Sequence, residues 1–317
     1  MRVSVRSAVL ALGGLFLAAS AFAQAPQRKP GVLLLAHGGK PEWNERVAAL
    51  AKSLDAEQPV EVAFGMATRA NIQAAANRLV ERGATEIIAV PLFVSSHSSV
   101  ITSTEYLLGL RKDMPEDLLK FARMSHGHGG HGAGGHGSAH GAAASADGTT
   151  PISVPVPVRM TPALNRHPLV ADILSTRARA ISTDPAREAV ILVAHGPVRD
   201  EENERWLADM RVLAEWVAAS APFASVDALT VRDDAPKPVR DAASAELRAL
   251  VEKRAGEGRR VLIVPLLMSF GGIEQGIRAR LEGLDYTMAP QGLMPDDRIA
   301  TWVREMVAGA TQLTASR

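Results

Sequence analysis

The chain has 317 residues, with 35 Lys and Arg against 34 Asp and Glu, and no cysteine. The lack of cysteine excludes disulfides, thiolate metal sites and lipid-modified cysteine, and a formal charge near zero gives no reason to expect a nucleic acid partner. The length is sufficient for two domains of ordinary size, each with a core of its own.

The beginning of the chain has the pattern of a signal peptide. Arg2 and Arg6 precede an apolar run over residues 8–19, and residues 21–23 read Ala-Phe-Ala, a small-x-small cleavage pattern. The apolar run is short for a membrane span, and an uncleaved anchor is the alternative. We therefore predict a signal peptide over 1–23, export to the periplasm, and a mature chain without a membrane span.

Strand-like apolar runs alternate with helical patterns through the rest of the chain. In the first half, strands are predicted at Val32–Ala36, Val60–Phe64, Glu86–Phe93 and Ile152–Val158. Helices are predicted at Glu42–Ala56, Asn71–Arg82, Thr102–Lys112 and His167–Ala180. Because these strands are apolar without alternation and are separated by helices of about 10–15 residues, the pattern predicts βαβ units and a parallel sheet.

The second half repeats this order. Strands are predicted at Ala189–Ala194, Ser225–Leu229, Arg260–Leu267 and Tyr286–Ala289. Helices are predicted at Asp200–Ala219, Val239–Arg254, Glu274–Leu281 and Asp296–Ala310. The sequences correspond as well: VLLLAHGGKPEWNERV at 32–47 matches VILVAHGPVRDEENERW at 190–206, and IIAVPLFVSSHSS at 87–99 matches VLIVPLLMSFGGI at 261–273.

An internal duplication explains this correspondence. Its period is too long for a solenoid repeat, so it predicts two similar lobes rather than an array. The expected fold class is α/β, with each lobe a three-layer αβα unit around a four-stranded parallel sheet, and with a cleft between the lobes. The predicted lobes are 24–182 and 187–317, joined by a short linker that contains Asp184-Pro185.

One segment, residues 124–150, breaks the pattern. It is rich in Gly, Ala and Ser and has no apolar period, which predicts a disordered loop. Several imidazoles on one flexible segment can gather around a Zn, Cu, Ni or Co ion. We predict accessory metal capture by this segment, and the alternative is a low-complexity insertion without a role. Its histidines are His126, His128, His131, His136 and His140.

Candidate site residues lie where the apolar strands end. His37 and His195 follow the first strand of each half, and His97 follows the third strand of the first half. Ligands of parallel α/β sheets bind at the carboxyl ends of the strands, so His37 and His97 can share one metal ion there. Two neutral imidazoles leave positions open for water or substrate. His195 has Gly271 instead of a second histidine, and it either faces the cleft or only caps its own turn.

Polar and cationic side chains near these histidines are candidates for binding the carboxylates of an acidic ligand. Ser96 and Ser98 are expected to open the helix after the third strand, whose free N–H groups favour an anion. Lys40, Arg69 and Arg199 could each meet a carboxylate, and ordinary solvated charge is the alternative for each.

These motifs together resemble the CbiX/SirB group of class II chelatases. The resemblance rests on the strand leading into AHGG or AHGPVRDEEN, on AVPLFVSSH and on PALNRHPL. The duplicated arrangement resembles the long, two-lobed sirohydrochlorin cobaltochelatase form, and a His-rich stretch is also seen in members of this family. The Glu that the family commonly has after the second strand, in a phrase like AFLE, is replaced by Met66.

The resemblance implies ATP-independent insertion of a divalent metal into a tetrapyrrole held between the lobes, with no nucleotide. The family's metal-binding histidines fall on His37 and His97, and one of them would also take up protons that leave the pyrrole nitrogens. The metal is a substrate, with Co²⁺ favoured and Ni²⁺, Fe²⁺ and Zn²⁺ also able to bind imidazole. A monomer is expected because the two lobes form the cleft. The alternative is a periplasmic metal-binding or metal-carrying protein of the same fold without turnover.

Overall fold

The structure is a computed structural model, and it describes residues 28–127 and 146–315. The predicted signal peptide lies outside these residues, and so do His128, His131, His136 and His140. None of the helices in the described ranges is long and apolar enough to cross a membrane.

Two four-stranded sheets form the centre of the fold. The strands of the first are β1 (Pro30–Ala36), β2 (Val60–Phe64), β3 (Glu86–Leu92) and β4 (Val158–Met160). Those of the second are β5 (Glu188–Ala194), β6 (Ser225–Thr230), β7 (Arg260–Leu266) and β8 (Thr287–Met288). Both sheets have the same order, β2-β1-β3-β4 and β6-β5-β7-β8, and every neighbouring pair is parallel. The predicted α/β fold with two parallel sheets is confirmed.

Helices cover both faces of each sheet. The first half contains α1 (Pro41–Asp55), α2 (Arg69–Glu81), α3 (Ser99–Leu107), α4 (Leu118–Gly127) and α5 (Pro168–Ile181). The second half contains α6 (Asp200–Ser220), α7 (Lys237–Gly256), α8 (Ile273–Arg280) and α9 (Arg298–Ala315). The central strands β1 and β5 are buried on both faces, which is why their sequences show no alternation of apolar and polar residues.

One hydrophobic core is shared by the two sheets. Alternate residues of β1, such as Val32 and Leu34, contribute to the same cluster as Val190 and Leu192 of β5. The opposite face of each sheet packs against a core of its own lobe. The lobes are therefore joined by a continuous apolar layer as well as by the linker.

The last helix of each half crosses to the other lobe. Helix α5 packs against β7 of the second sheet, and α9 packs against β3 of the first sheet. Trp302 of α9 is fully buried in the shared core, and Arg304 Nε donates to Glu57 Oε1 of the first lobe at 2.8 Å. The predicted boundary between the lobes, near residues 182–187, separates the strands of the two sheets, and it stays a prediction. Helices α5 and α9 pack across this boundary.

Equivalent backbone hydrogen bonds occur in the two lobes. The Leu164 N–H donates to the Phe93 carbonyl at 3.1 Å, and the Leu293 N–H donates in the same way to the Leu267 carbonyl at 2.8 Å. These bonds hold the segment before α5 against the loop after β3, and the segment before α9 against the loop after β7. The internal duplication predicted from the sequence thus extends to the loops that border the cleft.

One predicted strand needs correction, and one helix was not predicted. The fourth strand, predicted at Ile152–Val158, is instead β4, Val158–Met160. Pro151, Pro155 and Pro157 lack the N–H groups that a strand ladder requires, so the residues before β4 do not form one. Helix α4 was not predicted. Its last residues and a 3-10 turn at Ala146–Thr149 lie at the two ends of the segment predicted as a disordered loop, and that prediction stays a prediction because residues 128–145 lie outside the described ranges.

Candidate functional site between the lobes

His37 lies at the carboxyl end of β1 and is exposed. The turn after it is fastened by the start of α1, because Trp43 Nε1 donates to the His37 carbonyl at 2.5 Å and the Gly39 N–H donates to Asn44 Oδ1 at 3.1 Å. Trp43 is only 8% exposed and belongs to the shared core. The backbone of His37 is thus fixed by a packed indole while the residue remains accessible.

His97 lies in the serine-rich loop after β3. Strands β1 and β3 are hydrogen-bonded neighbours, with Ala36 opposite Leu92, so the strands that precede His37 and His97 are adjacent. The His97 N–H donates to Ser95 Oγ at 3.1 Å, and the His97 side chain is one-third exposed. Both histidines therefore lie at the same edge of the first sheet.

The two neighbouring serines have structural partners. Ser96 Oγ accepts hydrogen bonds from the Ala163 N–H at 2.8 Å and from Asn165 Nδ2 at 3.1 Å. Ser98 is the N-cap of α3, where its Oγ accepts from the Ile101 N–H at 3.5 Å. The prediction that a serine opens this helix is confirmed, and a role of either serine in binding carboxylates stays a prediction.

Helix α6 of the second lobe reaches the His97 loop. Trp206 Nε1 donates to the His97 carbonyl at 2.6 Å. Asp209, almost one turn later, places its Oδ2 atom 3.7 Å from His97 Nε2, and this oxygen is buried without a hydrogen-bond partner among the described residues. The surroundings of His97 are consequently formed by both lobes.

His195 follows β5 and lies close to a carboxylate of its own lobe. Its Nε2 atom is 3.4 Å from Asp234 Oδ2, and its carbonyl accepts a hydrogen bond from the Arg232 N–H at 2.6 Å. Gly196 has a φ of 73°, a conformation that glycine adopts without strain, and the chain turns tightly there after His195. A Cβ at this glycine would lie 2.5 Å from Thr230 Cβ. The role of His195 as a third metal ligand stays a prediction.

A pocket of about 310 Å³ lies between the lobes, next to the turn that carries His37. Arg177 of α5 holds its second-lobe wall by donating to the carbonyls of Gly292 at 3.1 Å and Pro295 at 3.0 Å. Helix α5 of the first half therefore supports the second-lobe wall of the pocket. The lining residues are Lys40, Glu42, Trp43 and Arg46 from the first lobe and Phe270, Pro290, Gln291, Gly292 and Met294 from the second.

An electrostatic interaction spans the lobes beside this pocket. Burial by itself raises the pKa of Glu274 at the start of α8, but four opposing interactions outweigh it and the pKa is lowered. They are hydrogen bonds from the backbone N–H groups of Gly272 at 2.9 Å, Gly271 at 3.0 Å and Glu274 itself, and the positive charge of Lys40. The Lys40 ammonium is thus balanced by a carboxylate of the opposite lobe.

The other two predicted cations are engaged elsewhere. Arg199 Nη2 donates to Asp117 Oδ2 at 3.0 Å, which joins the start of α6 to the start of α4 across the lobes. Burial raises the pKa of Glu202 next to this pair, while the charge of Arg199 opposes the shift. Arg69 Nε donates to the Thr150 carbonyl at 2.9 Å, within its own lobe. Binding of substrate carboxylates by either arginine stays a prediction.

Four residues of this region were not singled out from the sequence. Arg46 and Phe270 line the pocket, as does Gln291, and Asp209 faces His97. Arg46 lies four residues after Glu42 and three after Trp43, so helical spacing puts these three lining residues on one face of α1. Asp209 could not have been found in this way, because no sequence pattern shows that α6 meets the loop of the other lobe.

The available donors suit an ion that is bound and then released. Within 28–127 and 146–315, no three His, Cys, Asp or Glu side chains are grouped to hold a metal together. The His97 imidazole faces the Asp209 carboxylate, and the His37 imidazole lies at the end of the neighbouring strand. Imidazole and carboxylate are donor types that borderline divalent metals accept.

The two αβα lobes have a fold like that of solved chelatases. SirB from Bacillus subtilis with Fe³⁺ superposes with a TM-score of 0.58 at 17% identity, covering 90% of this chain and 98% of that one. The sirohydrochlorin chelatase SirB from Bacillus subtilis subspecies spizizenii in complex with cobalt gives a TM-score of 0.52 at 14% identity, covering 86% and 92%. At these identities the likeness establishes the fold alone.

Residues 31–181 match the model of the CbiX family. A sirohydrochlorin cobaltochelatase from Sulfolobus acidocaldarius is 43% identical over 68 residues, which are 21% of this chain and 55% of the relative. The chain thus spans about half the length of that curated relative. The resemblance to CbiX-type class II chelatases, predicted from the motifs, is confirmed.

Proposed function

We propose that this protein is a periplasmic chelatase that inserts a divalent metal into a tetrapyrrole without ATP. The observation that carries the proposal is the position of His37 and His97 at the ends of two adjacent parallel strands, inside the region that matches CbiX. The nearby pocket presents Lys40 and Arg46 to a ligand that carries carboxylates. The name of the Sulfolobus relative supports sirohydrochlorin as the ring and Co²⁺ as the favoured ion, with Ni²⁺, Fe²⁺ and Zn²⁺ as alternatives.

In this reaction one divalent ion enters the ring and two pyrrole N–H protons leave it. Neutral imidazoles of His37 and His97 hold the ion with few ligands, so that ring nitrogens can replace them one after another. An imidazole that has released the ion has a free ring nitrogen and can accept one departing proton, and the other proton leaves to the second imidazole or to water. Lys40 and Arg46 fix the ring through its carboxylates beside these histidines. Because both lobes of one chain form the pocket, we propose that a monomer is active.

The test is metal insertion by purified mature protein mixed with sirohydrochlorin and Co²⁺, Ni²⁺ or Fe²⁺, followed by absorbance against the uncatalysed rate. His37→Ala and His97→Ala should each lower the rate by a factor on the order of 10²–10⁴, the usual effect of losing an acid–base group. The matched control is His167→Asn, since the His167 side chain caps α5 and its Nε2 atom lies 3.3 Å from Glu305 Oε2 of α9, contacts that join helices. Normal turnover by His37→Ala, or an equal loss in the control, would refute the proposal.

A second candidate function is a periplasmic metal carrier without turnover. The five histidines between residues 126 and 140 favour it, since they add binding capacity that insertion does not require. The two functions differ in one measurement. A carrier binds several ions per chain and leaves the absorbance spectrum of every tetrapyrrole unchanged.

A further inference from the structure

Asp209 has a buried carboxylate oxygen that lacks a hydrogen-bond donor among the described residues of its own lobe. The Asp209 side chain is 16% exposed, and its Oδ2 atom has no hydrogen-bond partner among the described residues. The other oxygen, Oδ1, is 3.8 Å from Nε of Arg166, whose side chain is 63% exposed. Such a long and solvated contact contributes little. Buried carboxylates are normally hydrogen-bonded to donors or bound to a cation, so a donor or a cation is expected at Oδ2.

The atom that faces this oxygen is an imidazole nitrogen of the site. The separation of 3.7 Å between Asp209 Oδ2 and His97 Nε2 exceeds the roughly 2.7–3.2 Å of an N–H···O hydrogen bond. Two ligands of one metal ion are farther apart than hydrogen-bonded atoms. With metal–N and metal–O distances of about 2.1 Å and a tetrahedral angle, their separation is roughly 3.4 Å. The observed distance is therefore closer to that of two ligands sharing an ion.

The position of Asp209 is fixed by the helix that carries it. Trp206, three residues earlier on α6, is 9% exposed and donates its indole N–H to the carbonyl of His97. Met210 and Leu213 of the same helix are buried in the shared core. Helix α6 is thus anchored to the His97 loop from one side and to the core from the other, which holds the carboxylate at a constant distance from the imidazole.

We propose that Asp209 is a metal ligand supplied by the second lobe, and that it shares the incoming divalent ion with His97. This inference rests on the proposed function, since it extends the same site. It gives the ion one imidazole from the loop after β3 and one carboxylate from α6, a donor set that suits borderline divalent metals. The first lobe alone would then lack a ligand, so the site exists only when both lobes are present.

The experiment is a Co²⁺ titration by calorimetry and by visible absorption of the ligand-field bands. To leave only the cleft site, all variants carry alanine at the five histidines of the 126–140 segment. Asp209→Asn keeps the shape of the side chain but removes its charge, and it should weaken Co²⁺ binding by roughly 10–100-fold and alter the Co²⁺ bands. The matched control is Glu204→Gln, because Glu204 is an exposed carboxylate on the same helix and its loss should change affinity less than about twofold.

Thermal unfolding of the metal-free protein separates a binding defect from a folding defect. Asp209→Asn should unfold at the same temperature as the parent or higher, since it removes a buried charge without a hydrogen-bond partner. Added Co²⁺ should then raise the unfolding temperature of the parent but not that of the variant. Asp209→Ser is measured in parallel, so that poor folding of one variant does not decide the result.

The outcomes distinguish this inference from the proposed function. If His97→Ala binds Co²⁺ as tightly as the parent, the metal site of the proposed function is refuted together with the inference. If His97→Ala weakens binding and Asp209→Asn does not, only the inference is overturned. If Asp209→Asn weakens binding without changing the Co²⁺ bands, Asp209 acts from outside the coordination shell and its assignment as a ligand is wrong.

Discussion

Replacing Glu188 with Gln should lower the stability of the fold by about 3 kcal/mol at neutral pH. Glu188 begins β5, and its side chain is 1% exposed. Burial by itself raises the pKa of Glu188, but hydrogen bonds from Ser182 Oγ, from the Thr183 N–H at 2.8 Å and from Arg260 at 2.7 Å outweigh it. The pKa falls from 4.5 to about 2. At about 1.4 kcal/mol for each pKa unit, this difference gives the expected loss.

The pH dependence of this loss of stability follows from the direction of the pKa shift of Glu188. Because the pKa of Glu188 is lower in the folded state, its contribution is fully present above pH 4.5 and disappears as the pH falls towards about 2. The difference between wild type and Glu188→Gln should therefore be largest at pH 7 and less than about half as large at pH 3. Ser182 and Thr183 donate to Glu188 from the segment between the lobes, so the Glu188 carboxylate fastens that segment to the second sheet.

Urea unfolding followed by circular dichroism at pH 7, 4.5 and 3 measures these differences. The shared core predicts one cooperative transition for both lobes, which should be verified with a second probe. Glu246→Gln is the matched control, because Glu246 is exposed on α7 and its replacement should cost less than about 0.5 kcal/mol. A loss below about 1 kcal/mol at pH 7, or a loss that is equal at pH 7 and pH 3, would refute the reasoning.

Two further predictions concern the cleft and the His-rich segment. Arg199→Ala should raise the KM for the tetrapyrrole with little change in kcat, whereas Asp117→Asn removes the cross-lobe partner of Arg199 and should lower the KM. Initial rates against tetrapyrrole concentration measure both constants, and KM changes of the same sign in the two variants would contradict carboxylate binding by Arg199. Deleting residues 125–140 should reduce the number of ions bound and the rate at scarce metal but spare the rate at saturating metal; equilibrium dialysis and initial rates against metal concentration decide, and loss of the saturated rate would place the chemistry in that segment.

Much of the fold could be predicted because its signals are local. The unbroken apolar runs Val32–Ala36 and Ala189–Ala194 identify strands that are buried on both faces, and the structure confirms them as β1 and β5. The neighbouring positions of the first and third strands follow from the usual order of doubly wound sheets, and this order brings His37 and His97 to the same edge of the first sheet. Local periodicity and known topology are sufficient for both inferences.

The features that sequence reasoning missed depend on contacts between distant parts of the chain. The fourth strand was placed too early, because Ile152, Val154 and Val156 are apolar and pack against the first lobe's core without forming a ladder. Helix α4 is short, and its apolar pattern stands next to a glycine-rich segment that obscures it. The engagement of Arg199 with Asp117 joins residues 82 positions apart, which no local pattern shows.

The exchange of α5 and α9 limits how the cleft can open. Moving the lobes apart as rigid bodies would pull α9 from β3 and α5 from β7 and expose the shared core, including Trp302, to water. Loop movement at the strand ends exposes far less apolar surface, because the residues there, among them His37 and Gly271, already lie at the surface. A ligand therefore enters and leaves most readily past the loops after β1 and β7, while the helices that join the lobes hold Trp206 and Asp209 in place beside His97.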